Sequence, residues 1–591
     1  MPPAHRRRSV ALVTSVPRGP REVRKRPFES TEWAIYSMPT EYQAGETPAG
    51  TPGRRKNTMP SFLPTQQPVV ADVKSCEAWL ARATLADPKQ ACHELTGLLE
   101  ALEDVSPPEG AYLEILERLR EPVIIAQAEH GKKFAARPLP LKEYEVSAFE
   151  QVYDLWATLG RAFRRLLRAA IEDGSPDLAG KEALLAQRAL DCVGELMLVH
   201  YRARREVDAE LWQDLHQVYQ TAEQAGVVMT TVSAGHRSKS VSTCTEVYVR
   251  ALLLALANPY GLAARELAWT RRWATMWAYK VDLVSAAADA QGYAVDLAHN
   301  QPPTWIKAET AKPTVRFLET TNLRRSVRSR VKKLESGVDP QTLGLGKDCV
   351  QPEAGRLLVS LGRAWIESPA QRQFTRRLVT GRTELTSGLE SIHLAMSGKA
   401  FRSAARHWDY TRRDAEQIYI YQGVSPAAAA EDTTSGFSAE KWETLDESAN
   451  GFRLRRKGGG ERLALGQLVG LKPDGARSFI LCEVRWLMTG VDGSLTIGAS
   501  ALPGLGAAVA VRPASLPNNA PEAFTQAFLL PNAAAQPSSL LLPSGWYQHG
   551  RELEMREEAA EVKRVKLLGV VHRGYDYDRA NFSVAGPVAA S

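Results

Sequence analysis

From about Ser75 to Glu335, apolar residues recur at spacings of three and four, the period of a helix with one buried face. Val146–Asp173 is the clearest case, with Phe149, Val152, Trp156, Leu159, Phe163, Leu166 and Leu167 falling on one side. Further helices are expected over Lys181–Arg204, Asp208–Gly226, Ser242–Leu262 and Ala264–Val281, with Gly226 just past one end and Asn258-Pro259 closing another. Helices joined by short turns predict a bundle or a solenoid-like stack. In the last of them Trp269, Trp273 and Trp277 fall at every fourth position. Such a stripe is either a packing face between helices, the ordinary fate of large aromatic residues, or a base-stacking platform.

The helical pattern breaks over Asp296–Pro313, where Pro302 and Pro303 predict a short strand or linker. A basic helix follows over Thr321–Gly337, carrying Arg324, Arg325, Arg328, Arg330, Lys332 and Lys333. It reads as a solvated face, with a phosphate-binding surface as the alternative. After Pro369 the pattern shifts toward short apolar runs separated by turn signals such as Pro473-Asp474-Gly475. Strands are expected over Thr383–Met396, Gly451–Arg456, Leu465–Pro473, Ser478–Gly490 and Leu495–Leu502. Short strands at this spacing predict a small antiparallel barrel. It is interrupted by a polar, Ala-rich insertion, Gly398–Lys441, with a short helix expected around Arg412–Tyr421. A β-rich piece from Pro521 onward extends the barrel or forms a second one. The expected class is α+β and multidomain: a basic tail over 1–70, an α-helical domain over 71–340, a linker and helix over 341–370, a barrel over 371–515 and a β-rich extension over 516–591.

Composition adds little except through charge. Hydrophobic residues are 44% and charged residues 24%, ordinary for a globular chain. The net charge of +7 is concentrated: residues 1–58 hold 11 Lys/Arg against 5 Asp/Glu, leaving 63 against 62 in the remainder. The tail is therefore read as a disordered extension, with Met38 or Met59 as alternative starts and a nucleic-acid-binding arm as the alternative role. No apolar run approaches the roughly 18 residues a membrane helix needs, and the six cysteines form no C-x-x-C pair. A reduced, cytoplasmic protein without structural zinc is expected. No H-E-x-x-H, G-K-[ST] or G-x-S-x-G occurs, so neither an enzyme nor a metal site is expected. The glycines of Arg455–Gly466 ("RRKGGGERLALG") are read as a hairpin turn rather than a phosphate loop.

One stretch carries candidate chemistry. Thr444–Arg456 ("TLDESANGFRLRR") spaces Asp446, Ser448 and Gly451 as D-x-S-x-x-G before an alternating run. Locally this is a turn, because Asp and Ser bond nearby amides and Gly permits close backbone approach. A carboxylate and a hydroxyl at a barrel rim can equally accept from the edge of a guanine, and arginines can take its O6 and N7. Upstream, "QRQFTRR" (Gln371–Arg377) supplies Arg372 and Arg376 as R-x-x-x-R, with Arg377 adjacent.

The ordered set R-x-x-x-R, strand, D-x-S-x-x-G, strand, then "LGQLVGL", "FILCEVRWL" and "LTIGASAL" resembles the PilZ domain over about Ser368–Pro513. The resemblance implies a six-stranded antiparallel barrel that binds cyclic di-GMP. It implies that Arg372 and Arg376 clamp a guanine and the phosphates, with Arg377 assisting. It further implies that Asp446 and Ser448 hold a guanine edge and that Gly451 allows the turn beneath. A second R-x-x-x-R, Arg402 and Arg406 in the insertion, is the alternative clamp. The resulting expectation is a cyclic di-GMP receptor that signals to a protein partner through its helical domain, without a cofactor. The alternatives are a degenerate, non-binding adaptor and a nucleic-acid binder that uses the basic tail.

Overall fold

In α1 (Val73–Arg82), α2 (Pro88–Val105) and α3 (Glu109–His130) the periodic faces turn inward, and Asp72 and Asp87 cap the first two by accepting from the backbone NH of Ser75 and Gln90. The computed structural model describes residues 70–233, 241–286, 289, 291–307, 312–368, 377–399, 401, 439–448, 450–514, 524–532, 537–557 and 561–587. The expected basic tail and insertion helix, together with Arg372, Arg376, Arg402 and Arg406, lie outside these residues.

The long helix α4 (Glu143–Ile171) packs along α5 (Glu182–Ala203), followed by α6 (Ala209–Gln224). Nearly every side chain of α5 is buried, so it forms the centre of the stack. Its Asp191 accepts from Arg250 Nη2 at 2.7 Å and Arg120 Nη2 at 3.2 Å. Burial alone would raise the Asp191 carboxyl, but the two guanidiniums outweigh it and hold it down to about 2. A short hairpin, β1 (Val232–Ser233) and β2 (Val241–Ser242), precedes α7 (Cys244–Leu256) and α8 (Ala264–Trp277). Trp269, Trp273 and Trp277 of α8 are buried and stack in series at 6.2 Å spacing, so the stripe is a packing face.

The region expected to be helical, apart from a short strand or linker over Asp296–Pro313, holds a four-stranded antiparallel sheet: β3 (Asp282–Val284), β4 (Gln291–Asp296), β5 (Thr304–Lys307) and β6 (Val315–Glu319), in the order β3-β6-β4-β5. Its strands have three to six residues and one small core of Ala294, Val315 and Phe317, too brief for a clear period-two signal. The basic helix α9 (Thr321–Glu335) and α10 (Glu353–Ile366) follow and pack together.

The first barrel is closed and antiparallel, with six strands: β7 (Arg377–Ser387), β8 (Glu440–Ser448), β9 (Gly451–Arg456), β10 (Leu468–Pro473), β11 (Ile480–Thr489) and β12 (Leu495–Ala501), in the order β10-β11-β12-β9-β8-β7. The single strand expected over Thr383–Met396 is instead the end of β7 and a helix, α11 (Leu389–Ser397), inserted before β8 in the chain. Its short apolar run fits either element, and Gly388 at φ 82° makes the break. The glycine-rich segment after β9 is not a hairpin, because β9 and β10 are not neighbours in the barrel. It crosses over, bringing Leu463 into the core. Gly460 is required there, since a Cβ would fall 2.6 Å from Glu440 Oε1, with Arg456 closer still.

The second barrel is also closed, with β13 (Ala507–Pro513), β14 (Thr525–Leu530), β15 (Ser539–Pro543), β16 (Glu552–Glu557), β17 (Lys563–Arg573) and β18 (Tyr577–Pro587). The C-terminal piece therefore does not extend the first barrel, and Ala507–Pro513 pairs with it rather than with β12. Ile392 of α11, Leu468 and Leu481 of the first barrel, and Phe528, Leu530, Leu541 and Tyr577 of the second share one buried cluster. Tyr577 also donates to the buried Glu483 across the seam at 2.8 Å.

Two backbone bridges tie the helices to the first barrel. Leu139 pairs with Leu463 through reciprocal 2.8 Å bonds, and its side chain is wholly buried in the barrel core beside Trp442, Leu454 and Ile497. Arg462 reinforces this with bonds to the Pro138 carbonyl and the Glu145 carboxylate, both 2.7 Å. Arg205 pairs in parallel with Thr489 at the end of β11.

Candidate functional site

The D-x-S-x-x-G stretch is the tip of the β8–β9 hairpin, where Ser448 pairs with Gly451 and its Oγ donates to the Gly451 carbonyl at 3.3 Å. Gly451 is not in the left-handed region, and a Cβ there would meet Ser448 Oγ at 3.4 Å, an ordinary contact. The glycine is thus not needed for the turn geometry itself.

What aims Asp446 is a bulge. Thr444 pairs with Leu454, whose side chain is in the core, whereas Asp446 pairs with Arg453 on the opposite face, so Leu445 is the extra residue. Without it, strict alternation would send Asp446 inward with Trp442 and Thr444. Glu443 and Asp446 therefore lie on the face of their cross-strand partners Arg455 and Arg453, with Glu443 exposed there and Asp446 buried. Glu443 and Arg455 form a two-bond pair at 3.0 and 3.1 Å, while Asp446 Oδ2 and Arg453 Nη1 stand 3.9 Å apart. Across β7 a matching irregularity leaves Leu378 opposite Asp446, and Leu378 is 91% exposed.

Beside the Glu443–Arg455 pair lies a depression of about 910 Å³ whose lining includes Leu378, Arg382, Lys441, Glu443, Arg455 and Asp474 but neither Asp446 nor Arg453. Arg377, the first residue of β7, is paired with Glu447 and lies exposed at the same edge. Of the residues singled out in the sequence, the structure brings together Arg377, Asp446, Ser448 and Gly451. Arg453, Arg455 and Arg382 were missed, although the alternation of "GFRLRR" already marked the two β9 arginines as one outer face.

On the far side of β9, Arg453 pairs with Gly498 of β12, over which the Trp486 ring lies. A Cβ on Gly498 would sit 1.9 Å from Trp486 Nε1. The Gly498→Ala substitution is expected to displace the indole and cost about 1–3 kcal/mol, the usual range for overpacking. A melting temperature equal to wild type in differential scanning fluorimetry would show that Trp486 does not need this seat. Behind Trp486, Gly261 of the helical domain approaches so closely that a Cβ would meet the Arg485 carbonyl at 3.1 Å.

Glu206, in the link between α5 and α6, reaches the same end of the barrel. Its backbone NH donates to the Thr489 carbonyl at 2.9 Å, and its carboxylate accepts from Val491 NH at 3.2 Å. Burial pushes its carboxyl up, opposed by the Val491 amide and by the positive charge of Arg453. Among the described residues no cluster of three metal-ligating side chains occurs, and no helix is long and apolar enough to cross a membrane.

Residues 74–288 match the family model described as the N-terminal domain of the cyclic-di-GMP receptor FimW, and residues 509–585 match the FimW C-terminal β-barrel domain. A curated relative, the cyclic-di-GMP receptor FimW of Pseudomonas aeruginosa, is 22% identical over 553 residues, an alignment covering 85% of this chain and 89% of the relative. The first match spans the helices from α1 to α8 and reaches β3, the second covers most of the second barrel, and the barrel bearing Asp446 lies between them. The helical region and the second barrel are thus similar to the two FimW domains, N-terminal and C-terminal respectively.

Proposed function

We propose that the protein is a receptor for cyclic di-GMP, bound on the outer face of its first barrel, and that its helical domain passes the bound state to a protein partner. The observation that carries this reading is the placement of Asp446. Its pairing with Arg453 across a bulge sets the carboxylate, itself buried, beside an arginine near a hairpin tip and next to the strand whose preceding segment holds Arg372 and Arg376. A carboxylate accepts from the N1–H and N2–H₂ donors of guanine, and arginines pair with its O6 and N7 or with phosphate. The alignment with a cyclic-di-GMP receptor along most of both chains supports the same ligand. In this reading Arg372, Arg376 and Arg377 clamp the dinucleotide, Ser448 adds a hydroxyl, and Arg402 with Arg406 is the alternative clamp.

Isothermal titration of the intact protein with cyclic di-GMP tests the proposal, with cyclic di-AMP as the control for guanine recognition. Saturable binding of the guanine dinucleotide alone is the expected result. Absence of heat from folded protein at concentrations up to the millimolar range overturns it.

A further inference from the structure

We propose that Arg453 is a ligand-contacting residue of this site. The inference rests on the cyclic di-GMP reading above. Two observations carry it. First, Arg453 and Asp446 are directly paired on adjacent antiparallel strands, which sets a guanidinium and a carboxylate side by side on one outer face. A guanine presents donors along N1 and N2 and acceptors at O6 and N7, so such a pair matches one base without help from any other segment.

Second, the arginine is under-used. Its Nε is buried without a hydrogen-bond partner, and Nη1 stands 3.9 Å from Asp446, beyond bonding distance. Neighbouring Arg455 on the same strand has its guanidinium fork fully engaged by Glu443. A buried donor without a partner is costly, and a ligand acceptor supplies one.

Titration calorimetry on two variants of the full chain tests this. Arg453→Ala is expected to weaken cyclic di-GMP binding at least tenfold. Arg453→Lys, which keeps the charge but loses the planar fork, is expected to fall between it and wild type. Melting curves without ligand establish that each variant is folded; if Arg453→Ala is not, Arg453→Lys carries the test. Wild-type affinity in the Arg453 variants, with binding lost on Asp446→Ala, overturns the role of Arg453 and leaves the receptor reading standing. No binding by the wild type overturns the receptor reading and this inference with it.

Discussion

In the Asp446→Ala protein, cyclic di-GMP supplied at about a hundred times the wild-type Kd is expected to leave the melting temperature unmoved. In the wild type the same concentration stabilises the folded state by about 2.7 kcal/mol, because a ligand that binds only the native form adds RT ln(1 + [L]/Kd). For a unit of 150–250 residues that corresponds to a shift of roughly 5–10 °C. The alanine removes the acceptor for the guanine donors and leaves Arg453 as an isolated cation at the rim. Asp446 is buried beside Arg453, so the unliganded melting temperature is expected to fall as well, and the ligand-dependent shift is the quantity that reports its role in binding. Differential scanning fluorimetry with and without ligand measures both. A variant that still shifts by the wild-type amount would place the guanine elsewhere.

The second large effect is structural. Replacing Leu139 by Ala is expected to destabilise the first barrel by about 2–5 kcal/mol, although Leu139 lies more than two hundred residues before the strand it touches. Its side chain is wholly buried among Trp442, Leu454, Leu463 and Ile497, and truncation leaves a cavity that the closed barrel cannot easily collapse. Ile125→Ala, on the exposed side of α3, is the control and is expected to change stability by less than about 0.5 kcal/mol. Urea unfolding followed by tryptophan fluorescence reads the difference. Equal midpoints for the two variants would mean that the helical domain does not complete the barrel core.

The α+β class and the long helices were legible because their apolar period runs for many turns; the expected helix over Val146–Asp173 corresponds to α4, Glu143–Ile171. The first barrel was legible from several short strands and from the motif order that resembles the PilZ domain. What failed has local causes. The strands β3 to β6 are too short to display alternation, and Leu389–Ser397 is an apolar run that sequence alone fits equally to strand or helix. At the site, a period-two reading of β8 sends Asp446 inward with Thr444, and only the extra residue Leu445 reverses it. A bulge of one residue leaves no compositional trace. The outward arginines of β9 were readable by alternation, yet they acquire meaning only once the bulge puts Asp446 beside them. The contacts of Leu139 and Glu206 with the barrel depend on distant parts of the chain, which no local pattern encodes.

The buried cluster around Ile392 has a mechanical consequence. Seven wholly or almost wholly buried side chains from α11 and both barrels lock two closed cylinders into one block, and the Tyr577–Glu483 bond crosses the same seam. A packed seam of this kind resists shear, whereas a single residue pair can pivot. Any reorientation driven from the outer face of the first barrel would therefore carry the second barrel along as rigid cargo. Any compliance is left to the contacts between the helices and the first barrel, at Leu139–Leu463 with Arg462–Glu145 and at Arg205–Thr489 with Glu206–Val491.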